Sequence, residues 1–280
     1  THARDALSQA LFEEIEQHDG NVYIDLTHVT KETWSKNPIS ATKWAYLDAK
    51  FNAWNQLLRV APVAHFSGGG ARTDLHGATS VPGLYAAGEA AGGMHGANRM
   101  GGNALTECLV FGQRAGKAAT AFAQGKDQGV KALAPAAPVE TGEPQADPDA
   151  LRADIRQIMW TYGGIRRDAD GLAYGLEKIR EIAAEAARTR GINEPRRLEK
   201  FLETQLAASA ADLIIQAASR REESRGTHAR ADYPAADDDN WRGHLKVVCE
   251  AGGPSWWFDA LPEDEADDEA DDEAEVQAAQ

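Results

Sequence analysis

Apolar residues recur at Ala6, Leu7, Ala10, Leu11, Phe12 and Ile15, the spacing of one helix face, and His18-Asp19-Gly20-Asn21 closes that run with turn chemistry. A strand is expected over Val22-Tyr23-Ile24-Asp25-Leu26. Between Thr33 and Leu58 the pattern is helical but broken at Pro38, with Trp34, Trp44, Leu47, Phe51, Trp54 and Leu58 as expected core residues. Pro62 to Phe66 and Leu84 to Ala87 read as two further strands, and Ala104 to Ala123 as a helix with Asn103 as its N-cap.

From Gly125 to Pro148 the residues are mainly Gln, Gly, Ala, Pro and Glu without sustained period, which places a linker there. Three helices follow. Leu151 to Tyr162 ends at Gly163-Gly164; Leu172, Leu176, Ile179, Ile182, Ala183 and Ala186 line one face of the next; Leu198, Leu202, Leu206, Leu213, Ile214 and Ala217 line the third. Apolar stripes on consecutive helices with short connections imply an antiparallel bundle. After Glu223 the chain leaves that bundle, and His244 to Glu250 reads as a single strand.

Composition adds a class and removes several. With 280 residues, 42% hydrophobic and 26% charged, the chain can bury one large core or two modest ones. Cys108 and Cys249 stand far apart without metal-ligand spacing, so a zinc ribbon or a self-contained iron–sulfur ligand set is excluded. The net charge of -15 is localised: Asp259 to Glu275 holds 11 acids and no bases, leaving 33 acids against 29 bases elsewhere. Such a block repels itself and is expected to be a disordered tail. No basic stripe remains for nucleic acid. No apolar run reaches the roughly 20 residues of a membrane span, and the N-terminus lacks a signal peptide's pattern, so a cytoplasmic protein is expected.

Glycine is concentrated between Gly68 and Gly102, immediately before a long helix. Dense glycine at such a passage means close backbone approach, either to another segment or to a ligand. A glycine-preceded helix start offers unpaired N–H groups and a positive dipole end to an anionic or electron-rich group. His65 beside the glycine run, Arg99 among glycines and Arg4 at a helix start are the candidate polar side chains.

Pro62-Val63-Ala64-His65, Val81-Pro82-Gly83-Leu84-Tyr85-Ala86-Ala87-Gly88-Glu89 and His95-Gly96-Ala97-Asn98-Arg99-Met100-Gly101-Gly102-Asn103-Ala104-Leu105 resemble the C-terminal part of the succinate dehydrogenase/fumarate reductase flavoprotein subunit, within the L-aspartate oxidase superfamily. Ala3-Arg4-Asp5 upstream and Glu223-Ser224-Arg225-Gly226-Thr227-His228-Ala229-Arg230 downstream fit the same family. The resemblance implies FAD as cofactor and hydride transfer between flavin and a dicarboxylate, succinate or fumarate. It implies Arg4 as the proton-transferring arginine, His65 and Arg99 as substrate-carboxylate ligands, Glu89 as a flavin contact, and Ala104 and Leu105 as residues whose backbone approaches the flavin. Electrons would pass to an iron–sulfur partner subunit in electron transport and the tricarboxylic acid cycle, with membrane anchor subunits holding the complex on the cytoplasmic face. Gly68 stands where many members have Met, and Ala104 where Ser is usual. Gly101-Gly102 favours this family over L-aspartate oxidase, whose loop usually has Ala-Ser.

No Gly-x-Gly-x-x-Gly opens a βαβ unit in these residues, so the ADP half of FAD has no expected home in the chain. The expected architecture is an α/β (α+β) fragment of an FAD-binding flavoprotein followed by an antiparallel helical bundle. Its parts are the end of a capping domain at 1–60, the C-terminal part of the FAD domain at 61–125, a linker at 126–150, a helical domain with an extended arm at 151–258, and the acidic tail at 259–280. Two other functions stay open: an L-aspartate oxidase-like flavoenzyme, and a non-catalytic scaffold whose bundle and acidic tail bind a basic partner.

Overall fold

The computed structural model describes residues 4–17, 20–125, 146–189 and 194–261, with the side chains of Arg4, Asp5, Gln17 and Ile39 left out. It forms two units, one up to Gly68 and one from Gly69 onward.

In the first unit, helix α1 (Arg4–Gln17) leads to strand β1 (Val22–Ile24). The expected long broken helix is instead three short ones, α2 (Lys31–Ser35), α3 (Pro38–Ala41) and α4 (Trp44–Phe51), ended by Asn52 in the left-handed conformation at φ 48°. Leu58 belongs to strand β2 (Leu58–Val60), which pairs antiparallel with β1, while Pro62 to Phe66 forms no strand. The strand near residue 60 is thus Leu58–Val60 and not Pro62 to Phe66, because a three-residue strand carries too little alternation to be recognised. Among the expected core residues, Trp54 stacks on Trp44 at 3.7 Å and meets Trp34 edge-on at 5.1 Å, but Phe51 is exposed and the fully buried residue there is Ala53.

The second unit opens with irregular backbone tied by single bridges. Ala71 pairs with Ala91 and Ala78 with Tyr85, so Leu84 to Ala87 makes one bridge and not the expected strand. A 3-10 turn at Gly88–Ala90 packs against helix α5 (Asn103–Gln124). Asn103 is the first helical residue and not the cap; Gly102, at φ 92°, holds the cap position and gives no side-chain hydrogen bond.

Helix α6 (Pro148–Thr161) starts three residues before Leu151, inside the expected linker, because Asp147 caps it by accepting from Asp149 N. Helices α7 (Ala169–Arg188) and α8 (Pro195–Arg220) complete a core of Leu151, Ile155, Leu172, Ile179, Ile182, Phe201, Ala208 and Ile215. Arg180 meets Asp212 and Gln205 meets Ala186, so α7 and α8 run antiparallel; Asp149 meets Lys200 and Arg152 meets Glu203, so α6 and α8 run parallel. On α8 the expected face is only partly the buried one: Leu198 packs against the core, and Leu213 and Ala217 are half-buried. Phe201, Thr204, Ala208, Ala211, Ile215 and Ala218 are buried, whereas Leu202, Leu206 and Ile214 are exposed. Small residues let the helices approach closely, and closeness outweighed side-chain size.

Beyond the bundle, α9 (Asp238–Trp241) precedes strand β3 (Gly243–Glu250), which pairs along its length with β4 (Gly253–Ala260). The strand expected at 244–250 thus has a partner that the sequence reading missed, and Asp259 and Ala260, assigned to the acidic tail, are its last residues. The rest of that tail, from residue 262, and the linker from 126 to 145 lie outside the described residues. Among the described residues no helix is long and apolar enough to cross a membrane.

Candidate active site

Arg4 is the first residue of α1 and its side chain lies outside the described ones. His65 is exposed, on irregular backbone two residues before Ser67 in the first unit. Glu89, Arg99, Ala104 and Leu105 belong to the second. Glu89 sits exposed in the 3-10 turn; Arg99 is half-buried and its Nη1 donates to Met100 O at 3.2 Å; Ala104 and Leu105 form the first turn of α5.

The glycine run splits into two kinds. Gly70 and Gly92 pack backbone on backbone: a Cβ on Gly70 would stand 2.5 Å from Ala90 O, and one on Gly92 2.6 Å from Gly70 N. Gly93, Gly96, Gly101 and Gly102 have no described atom within 4 Å of a Cβ position. The segment-to-segment alternative is therefore realised at Gly70 and Gly92, while the glycines at 93–102 leave an open face. That open face runs into the N-terminus of α5, where no side chain caps the first N–H groups and Leu105 is 76% exposed. Asn103 N donates to Met100 O at 3.3 Å; a helix start without a side-chain cap, its positive end and an apolar flank suit a flat, electron-rich ring bearing carbonyl acceptors. This fits the isoalloxazine part of a flavin.

Two contacts hold this segment. His95 Nε2 lies 2.7 Å from Glu107 Oε2, both side chains 4% exposed, which ties the loop to α5. Ala97 O accepts from Thr227 N at 3.0 Å and Thr227 Oγ1 at 3.1 Å. Sequence reasoning quoted His95 and Thr227 in motifs but gave neither a role, and passed over Glu107. The i to i+12 spacing of His95 and Glu107 has no helical or strand signature, and Thr227 is remote in the chain.

The motif that supplies Thr227 is an ionic knot. Glu223 is fully buried and accepts from Arg225 Nε at 3.0 Å, Arg225 Nη2 at 2.9 Å, Asp237 N at 2.9 Å and Arg221 Nη1. Burial alone would raise its pKa, but these hydrogen bonds outweigh it and hold the carboxyl below the usual range. Arg230 pairs with Asp232 through two hydrogen bonds of 2.8 and 2.7 Å, and its Nη1 donates to the carbonyls of Ala218, Ser219 and Arg221 at the end of α8. Asp232 also accepts from Ala169 N at the start of α7, so one ion pair satisfies orphan groups at two helix ends. His228 Nε2 donates to Arg221 O at 3.2 Å and Nδ1 accepts from Arg167 Nη1 at 2.7 Å. Burial first, and then the charge of Arg167, push its pKa down to about 4; burial pushes Arg167 down to about 10.

With this geometry in view, known proteins supply the class. A model for an FAD binding domain matches residues 1–105 and a model for the fumarate reductase flavoprotein C-terminus matches residues 152–259. A fumarate reductase flavoprotein subunit of Mycobacterium tuberculosis is 35% identical over 284 aligned residues, covering 89% of this chain and 47% of that protein. An L-aspartate oxidase of Streptomyces coelicolor is 34% identical, covering 87% and 43%. FrdA of the E. coli quinol fumarate reductase superposes with a TM-score of 0.75 at 26% identity, over 94% of this chain and 49% of FrdA. The chain matches FAD-dependent flavoproteins. It belongs to the flavoprotein family of fumarate reductase and succinate dehydrogenase, with L-aspartate oxidases among its relatives. It spans about half the length of the curated relatives it matches.

Proposed function

We propose that this chain provides the substrate-facing and flavin-facing part of an enzyme that interconverts succinate and fumarate. The observation that carries the reading is the open glycine segment 93–102, which holds Arg99 and leads directly into the uncapped start of α5. FAD, when bound, supplies the two-electron carrier for hydride transfer. The backbone of Ala104 and Leu105 would hold its ring at the positive helix end, with Glu89 as a further contact. Arg99 clamps one substrate carboxylate, because a planar guanidinium offers two parallel N–H donors to two carboxylate oxygens. His65 binds a carboxylate, and Arg4 moves the proton at the neighbouring carbon. A guanidinium above pKa ~12 gives up a proton only transiently, and only where water is excluded. Electrons leave to an iron–sulfur partner subunit, and anchor subunits hold the complex at the cytoplasmic face of the membrane.

An L-aspartate oxidase activity is the second reading. It is favoured by the enzyme of Caulobacter vibrioides, 41% identical over 195 residues. Arg99 serves a dicarboxylate in either case, so assays with succinate, fumarate and L-aspartate separate the two.

In the FAD-loaded parent flavoprotein, Arg99→Lys keeps the charge but loses the two-point contact. Turnover is expected to fall by roughly 30- to 1000-fold, corresponding to about 2–4 kcal/mol, and the malonate dissociation constant to rise. An unchanged malonate affinity rejects Arg99 as the clamp.

A further inference from the structure

The segment carrying Arg99 has little to hold it from within. Gly93, Gly96 and Gly102 take φ of 103°, 54° and 92°, and the glycines from 93 to 102 bring no side chains to pack. A guanidinium on such a backbone reaches a carboxylate in register only if the backbone is fixed from outside, since a misplacement of about 1 Å can spoil catalysis.

Thr227, which follows the helical bundle in the chain, supplies part of that fixing, beside the His95–Glu107 pair. Both of its donors, the backbone N–H and Oγ1, converge on the carbonyl of Ala97, two residues before Arg99. Gly226 and Thr227 form the tip of a tight hairpin in which Arg225 and His228 exchange backbone hydrogen bonds of 2.8 and 2.9 Å. Gly226 has φ 57°, and a Cβ there would stand 2.4 Å from Ala97 O, so only glycine lets the tip close on its target. Arg225 is fastened to Glu223 and Asp238, and His228 to Arg167 and Arg221, which makes the stem of the hairpin rigid.

We infer that Thr227 is a positioning residue: it sets the backbone of Ala97 and through it the reach of Arg99, so that the bundle tunes dicarboxylate affinity. This rests on the assignment of Arg99 to a substrate carboxylate. The Oγ1 hydrogen bond is the separable part, because the backbone N–H remains in any variant.

The test compares Thr227→Val, which keeps the shape and removes the hydroxyl, with Thr227→Ser, which restores the donor. In the FAD-loaded parent flavoprotein, Thr227→Val is expected to raise the malonate dissociation constant and the KM for fumarate about 3- to 10-fold, with kcat within about twofold and Thr227→Ser near wild type. Amide exchange across residues 95–102, measured on this chain alone, is expected to quicken in Thr227→Val and not in Thr227→Ser. An unchanged malonate affinity in Thr227→Val overturns the inference, as does a fall in kcat at constant KM. If Arg99→Lys still weakens malonate in that case, only the positioning role falls. If Arg99→Lys also leaves malonate binding intact, the substrate reading falls with it.

Discussion

A single histidine shows how the environment of a residue becomes a property of the fold. His228 faces Arg167, Arg221 and Arg230, and its two ring nitrogens are committed to Arg221 O and Arg167 Nη1, so the folded state holds it neutral until about pH 4. Unfolded, it binds a proton near its ordinary value of 6.5. The unfolded state therefore carries more protons between those values, and the stabilisation, complete above pH 6.5, is lost as pH falls towards 4. Allowing for its partial exposure, the expected loss is roughly 2 kcal/mol. Glu223 also loses its stabilising charge on acidification, but below the ordinary carboxylate range, so the two effects occupy different windows. Urea midpoints of the chain at pH 7.5 and pH 5 should differ in the wild type and much less in His228→Gln; equal pH dependence in both would show that His228 is not the source.

Helix α8 makes the corresponding point for an element. The face that its leucines suggest is not the buried one: Ala208 is completely buried together with Phe201 and Ile215, while Leu206 is 71% exposed. Ala208→Leu must force extra volume between packed helices and is expected to cost about 1–3 kcal/mol. Leu206→Ala loses little burial and should stay within about 0.5 kcal/mol. Chemical denaturation of the two variants distinguishes this packing from the one that side-chain size suggests, which would reverse the order.

At the scale of the whole molecule, the residues proposed for the site belong to different units: Arg4 and His65 to the first, Glu89, Arg99, Ala104 and Leu105 to the second. Neither unit contains a Gly-x-Gly-x-x-Gly turn to cradle the pyrophosphate of FAD, although the start of α5 suits its ring. The chain purified in excess FAD is therefore expected to keep almost no flavin absorbance after desalting, while circular dichroism reports folded helices. Stoichiometric retention would mean that another part of the chain binds the dinucleotide.

The sequence by itself determined the helical periods of α1, α5, α6 and α7, the place of the glycine-rich passage before α5, and the family. Those features are local, because a helix face repeats within a few residues and the motif around Arg99 is contiguous. Tertiary structure alone decided that Gly70 and Gly92 serve each other while Gly93 to Gly102 stay open, that β2 and β4 are the partners of β1 and β3, and that α8 buries Phe201, Ile215 and the small residues between them while Leu202 and Leu206 stay exposed. It also decided that Thr227 reaches Ala97 across 130 positions of chain. Each of these depends on which remote backbone comes within hydrogen-bond or van der Waals distance, and residue type at one position carries no record of that partner.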